Sequence, residues 1–188
     1  MSASNADMTA LVLIDLQNDY FPGGAMELVG ADAAVAQARS LLLAFRQRSL
    51  PIFHVQHIST RPGATFFLPG APGANTHAAV APAQGEPLVI KHFPNSFRET
   101  TLLEQLRGIG ASKLVVAGAM THMCVDTTVR AASDYGFQVA VAQDGCATRA
   151  LQLGTQRVEA ADVQVAYLAA LNGTFATVKP AQALCAEL

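Results

Sequence analysis

Three side chains far apart in the chain have the types that acyl transfer needs: a thiol at Cys124, a cation at Lys91 and a carboxylate at Asp15. A thiol with a pKa near about 8.5 is mostly protonated at neutral pH, but a nearby cation and a helix N-terminus lower that value and populate the thiolate. Cys124 is expected to open a helix running to Asp134 and to face Lys91, so both influences would reach it. Asp15 could take the thiol proton and pass it to a leaving amine, a general base turned general acid. Backbone N–H groups at the same helix start could hold the oxyanion of a tetrahedral intermediate. Each residue also has an ordinary reading. A cysteine in an apolar run is commonly core packing, a lysine at a strand end is commonly solvated, and an aspartate after a strand is commonly a turn former.

The elements that would carry these residues follow from hydrophobic rhythm. Short apolar runs at about 10–15, 51–56, 87–91, 112–117, 137–142 and 174–178 read as strands buried on both faces. Segments with apolar residues three and four apart, at about 31–48, 99–107, 122–134 and 158–171, read as helices, two of them ended by Gly136 and Gly173. Alternation of the two kinds predicts an α/β fold, a parallel sheet with helices on both faces. In such sheets ligands lie outside the carboxyl ends of the strands. Asp15, Gln56 and His57, Lys91, and the turn from Gly118 to Cys124 all fall at those ends. The stretch 58–86, rich in Gly, Pro and Ala, lacks either period, and a connection that long is expected to be a lid, a binding loop or an oligomer arm.

Composition narrows the class. The 188 residues fit one domain, 9–188, behind a frayed tail at 1–8 with no secretory pattern. Half the chain is apolar (51%), 14% is charged, and the net charge of -2 is spread without blocks, which argues against nucleic acid or an anionic membrane as partner. No apolar run approaches the roughly 18 residues of a spanning helix. Three unclustered cysteines argue against a disulfide framework or zinc knuckle and for a reducing cytoplasm. So little charge on so apolar a chain suggests a homo-oligomer, a dimer or larger.

Three segments together carry a family resemblance: Leu11-Val-Leu-Ile-Asp-Leu-Gln-Asn-Asp-Tyr-Phe21, Ile90-Lys-His-Phe-Pro-Asn-Ser-Phe97, and Val116-Ala-Gly-Ala-Met-Thr-His-Met-Cys-Val-Asp-Thr-Thr-Val-Arg-Ala-Ala132. They resemble the isochorismatase-like cysteine hydrolases, which include nicotinamidases and related amidohydrolases. Val141-Ala-Gln-Asp-Gly-Cys-Ala-Thr148 extends the likeness over nearly the whole chain. The resemblance implies a three-layer Rossmann-like fold with a six-stranded parallel sheet and a triad on Asp15, Lys91 and Cys124. It also implies a cis peptide between Ala119 and Met120, with the N–H groups of Met120 and Cys124 as oxyanion hole. The chain departs from nicotinamidases, which carry Asp-x-His after the second strand to hold a metal. Here His54-Val-Gln-His57 stands instead, with its imidazoles expected on opposite faces, so neither a metal nor another cofactor is expected. Isochorismatases proper typically lack the cysteine, so Cys124 favours C–N hydrolysis of a small molecule through a thioester.

Phe21, His57, Phe97 and Thr121 are candidates for substrate contact, and Phe66 and Phe67 for an apolar wall. Cys146, just past a strand, is the rival nucleophile, and His122 offers a papain-like pairing for Cys124 that Asp15 and Lys91 make unnecessary. Gly108-Ile-Gly110 precedes a strand and so cannot cradle a phosphate. Two readings from other classes stand beside the amidohydrolase: a binding or redox-responsive protein acting through Cys124, and a hydrolase of an ester or vinyl ether.

Overall fold

The computed structural model describes residues 8–188, so the expected tail lies outside the described residues except for Met8, which begins the first strand. Six parallel strands form one sheet in the order β3-β2-β1-β4-β5-β8. They are β1 (Met8–Ile14), β2 (Ile52–His57), β3 (Leu88–Lys91), β4 (Ala111–Ala119), β5 (Gln138–Ala147) and β8 (Thr177–Lys179). Between β5 and β8 a short antiparallel hairpin intervenes, β6 (Leu151–Leu153) and β7 (Gln156–Val158).

The period of two along β1 divides its side chains between two cores. Leu11 and Leu13 point toward α1 (Ala31–Gln47) and α5 (Ala181–Ala186), where Leu41, Leu42 and Phe45 meet them. Ala10, Val12 and Ile14 point the other way, toward α2 (Leu102–Gly108), α3 (Asp126–Asp134) and α4 (Ala160–Leu171), where Leu106, Val129 and Leu171 wait. Each fully buried Leu, Ile or Val contributes about 1.5–3 kcal/mol through loss of water contact, which is why β1 carries no polar side chain between Ala10 and Ile14. A charge at Leu13 would break this layer.

Several boundaries differ from the sequence reading for physical reasons. Asp15 lies just past β1 with φ 50, outside the extended region, so the strand ends where the chain turns. The last strand starts only at Thr177, because Gly173, at φ 85, first turns the chain after α4. β5 runs on to Ala147, with its pairing to β4 shifting register between Val116 and Gly118. The segment 58–86 is not shapeless: two 3-10 turns, Pro72–Ala74 and Ala78–Val80, set Ala74 and Val80 into the core on the α1 side. The β6–β7 hairpin and α5 were not expected.

Candidate active site

The three triad candidates arrive from three separate strand ends. Asp15 follows β1, Lys91 closes β3, and Cys124 lies in a single π turn, Thr121–Val125, that leads from β4 into α3. The helical run therefore begins at Thr121, and the thiol sits within its first turn instead of opening it. Gly118 permits the approach of β4 to β1. With φ 148 it lies where side chains are disfavoured, and a Cβ there would collide with the Ile14 carbonyl. The peptide bond between Ala119 and Met120 is cis.

Asp15 and Lys91 are fully buried, their ion pair closing at 2.7 Å between Lys91 Nζ and Asp15 Oδ2. The same ammonium donates to Cys124 Sγ at 3.3 Å and to His57 Nδ1 at 3.0 Å. Ligand atoms of Asp15, His57 and Cys124 lie within 4.8 Å of one another, a grouping that could in principle hold a metal ion. Lys91 Nζ already contacts all three, so the cation at the centre of the cluster is the lysine's own. The Asp15 contact is ionic and poorly directed, and neither Asp15 oxygen accepts a well-formed hydrogen bond among the described residues.

Electrostatics set the resting protonation state. Burial, reinforced by the Asp15 charge, pushes the Cys124 thiol well above its ordinary range, and Lys91 offsets this only in part. Burial alone would lower Lys91, but Asp15 and Cys124 hold it above its ordinary value. Cys124 thus rests as a neutral thiol beside the Lys91 ammonium, not as the standing thiolate that a free lysine would create. His57 is pulled down to about 4, first by burial and then by Lys91, so its neutral ring accepts the lysine proton.

A cavity of about 420 Å³ opens above the thiol. Its walls include Tyr20, Phe66, Phe67, Met120 and Met123, and Cys124 and His57 line it as well. Tyr20 and Phe67 pack with ring centroids 4.6 Å apart, and Phe66 meets Phe67 edge-on at 5.0 Å. The segment 59–67 supplies much of the enclosure, which makes this part of the long loop a wall of the cavity.

Two polar residues missed in the sequence hold that wall. Gln17, fully buried, donates from Nε2 to the carbonyls of His57 (2.8 Å) and Ala74 (2.7 Å), and its Oε1 accepts from the His57 N–H at 2.8 Å. Asp19 accepts from the N–H of Phe67 at 2.6 Å and of Ala25 at 3.2 Å, fixing Phe67 in a left-handed conformation with φ 54. The signal was available: Asp15, Gln17 and Asp19 alternate just beyond an apolar strand, as polar groups with assigned partners do.

Other candidates are placed elsewhere. Phe21 does not line the cavity, because its ring lies against His77 at 4.1 Å. Phe97 is buried against Phe137 and Tyr135 on the α2 side. Thr121 is fully buried and its hydroxyl serves structure, 2.7 Å from Gln164 Oε1 and 3.1 Å from the Ala147 carbonyl. His57 is the one tentative contact that reaches the cavity. Cys146 is buried within β5, paired beside Gly118 of β4, with its thiol pushed up to about 12 by burial, and does not line the cavity. His122 turns from Cys124 to Thr148, with Nδ1 2.6 Å from its hydroxyl. His54, within β2, bonds Glu86 at 2.8 Å and does not line the cavity.

Sheet order and helices define a doubly wound α/β scaffold, and comparison with known proteins specifies the family built on it. The Isochorismatase domain matches residues 9–178, and the chain belongs to the isochorismatase family of hydrolases. The isochorismatase family protein YddQ of Bacillus subtilis is 46% identical over 93% of this chain and 97% of its own length. The crystal structure of a proposed isochorismatase hydrolase from Oleispira antarctica superposes with a TM-score of 0.93, at 47% identity over 99% of both chains. Nicotinamidase 3 of Arabidopsis thaliana is 28% identical, over 77% of this chain and 75% of its own length.

Proposed function

We propose that this hydrolase cleaves a C–N bond of a small amide through a thioester on Cys124. The observation that carries the reading is the shared ammonium: Lys91, buried with Asp15 away from water, contacts both the carboxylate of Asp15 (2.7 Å) and the thiol of Cys124 (3.3 Å). Asp15, with both oxygens short of donors, takes the thiol proton as Sγ attacks the carbonyl carbon. Lys91 then faces the sulfur of the adduct, and the oxyanion rests on the N–H groups of Met120 and Cys124. Asp15 returns the proton to the departing nitrogen, C–N breaks, and the acyl group stays on sulfur. Water then attacks the thioester carbonyl and gives a proton to Asp15; as the C–S bond breaks, Asp15 passes that proton to sulfur, which frees the acid and restores the thiol.

A thiol raised by burial is slow to oxidise, which weighs against the redox-responsive alternative. The amidase branch of the family, to which nicotinamidase belongs by name, supports C–N cleavage. The test is ammonia release from a panel of primary amides, ureido compounds and lactams, with intact-mass detection of an acyl adduct. Release and adduct that both vanish in Cys124→Ala support the reading. Turnover that survives Cys124→Ser without any adduct overturns it, and hydrolysis confined to esters or enol ethers transfers it to C–O bonds.

A further inference from the structure

Neighbouring strand ends bring His57 and Lys91 together. They close β2 and β3 as register partners, and Lys91 Nζ lies 3.0 Å from His57 Nδ1. An ammonium has protons to give and no lone pair, so Nδ1 must be the acceptor. Burial lowers the ring most, then Lys91; Asp15 opposes this, while His92 and Arg61 add to it, and the imidazole stays neutral down to about pH 4. A neutral imidazole that accepts at Nδ1 carries its one proton on Nε2. Lys91 thus fixes the tautomer.

Nε2 itself has no partner among the described residues. Nor is it sealed in, as the unpartnered Nδ1 of His54 and Nε2 of His122 are. The half-buried ring lines the cavity with Cys124, so the cavity is where this N–H is available. One of the ring nitrogens lies within 4.8 Å of the Cys124 sulfur. The residue is held in place: Gln17 bonds both its N–H and its carbonyl at 2.8 Å, and the Phe67 ring stands 5.9 Å from the imidazole. The hydroxyls of Ser59, Thr60 and Thr65, also on the cavity wall, can rotate to give or to accept a hydrogen bond. The His57 N–H can only give.

A fixed donor beside a nucleophile discriminates among substrates. An atom with a lone pair satisfies it, whereas a methylene in the same place leaves the N–H without a partner. Because the imidazole stands beside the attacking sulfur, it meets the substituent next to the carbonyl that the sulfur attacks. We infer that His57 is a specificity-determining residue: its Nε2–H selects amides with an acceptor oxygen on the carbon next to the scissile carbonyl, the α-oxo and α-alkoxy amides. The amide end rests on the amidohydrolase reading; the donor end rests on the Lys91–His57 contact.

Two measurements test the donor apart from turnover. NMR of the ring nitrogens at neutral pH should show Nε2 protonated and Nδ1 bare, and the reverse tautomer or an imidazolium overturns the assignment. Cys124→Ala protein is then titrated by NMR with pyruvamide against isobutyramide and with methoxyacetamide against butyramide, pairs that differ by an oxygen at matched length. The oxygen-bearing member should bind about five- to tenfold tighter. The preference should vanish in His57→Phe and persist in part in His57→Gln, whose side-chain oxygen can accept from Lys91 and leave its amide N–H to the ligand. Equal affinity within each pair, or a preference that survives His57→Phe, overturns the assignment. In the thiol-bearing protein, a His57-dependent preference without ammonia release or an adduct on Cys124 sinks the amidohydrolase reading and upholds the donor. Ammonia released equally fast from both members of each pair, with and without His57→Phe, does the reverse.

Discussion

The molecule contains two clusters of the same composition, each with one carboxylate, one long cation and one imidazole. Just before β3 Glu86 binds Arg46 through both oxygens (2.7 and 2.8 Å), accepts from the Ala83 N–H (2.9 Å) and meets His54 Nε2 (2.8 Å). Past the carboxyl end of β1 Asp15 has a single lysine, the last residue of β3, at 2.7 Å and no well-formed hydrogen bond. Glu86 is saturated and held down to about 2, chiefly by Arg46, which makes it a poor proton acceptor. Asp15 is desolvated and under-bonded, and its ammonium is shared with a thiol and an imidazole. Saturation makes a strut; a shortage of donors leaves a carboxylate with oxygens free to meet a further partner.

The sharpest way to break this contrast is to neutralise each carboxylate in turn. Asp15→Asn should lower kcat by about 10²–10⁴-fold, because the amide cannot accept the thiol proton, while circular dichroism stays that of the native fold. An Asp15→Asn enzyme with near-native kcat would end the general-base assignment. Glu86→Gln should leave kcat unchanged and cost stability. Because the folded pKa of Glu86 lies below its unfolded value, its contribution is present above about pH 4.5 and fades as pH falls toward about 2. Denaturant titrations at neutral pH should show a loss of about 2 kcal/mol, and the gap between variant and parent should close in acid.

Smaller effects sharpen the comparison further. Asp19→Ala removes the acceptor for Phe67 N–H, so the cavity wall should loosen and KM rise several-fold with little change in kcat. An unchanged KM together with unchanged proteolysis at 59–67 would show that Asp19 does not hold the wall. His57 should stay neutral until about pH 4 in an NMR titration. Its folded pKa lies below the unfolded one, so the stability tied to its neutral form is complete above about pH 6.5 and lost on descent toward 4. A midpoint near the ordinary value would mean that the ring does not face Lys91.

Much of this was legible in the chain. β1 and β4 are near-continuous apolar runs, and Asp15, Lys91 and Cys124 stand where such runs stop, so strand ends and triad could be read together. The protonation state could not, since it depends on Lys91 being claimed by Asp15 across the sheet. Nor could the aromatic assignments: Phe21 and Phe67 look alike as residue types, and only the packing of His77 on one and Asp19 beneath the other separates them. The β6–β7 hairpin escaped because it lacks a buried face, with Leu153 left 82% exposed. The six-residue α5 is shorter than the window in which helical periodicity shows.

The atoms proposed to react come from the chain just past β1, from β3 and from the turn after β4, whereas much of the cavity's enclosure comes from the one segment 59–67, whose ends are joined by the Ser59–Phe67 bond of 2.8 Å. Chemistry and enclosure are thus written in different stretches of the polypeptide. A segment of that kind is a cassette. Transplanting another relative's version between the same two anchors would change which molecule is admitted while the machinery beneath keeps its register, which gives one scaffold a short evolutionary path to many substrates.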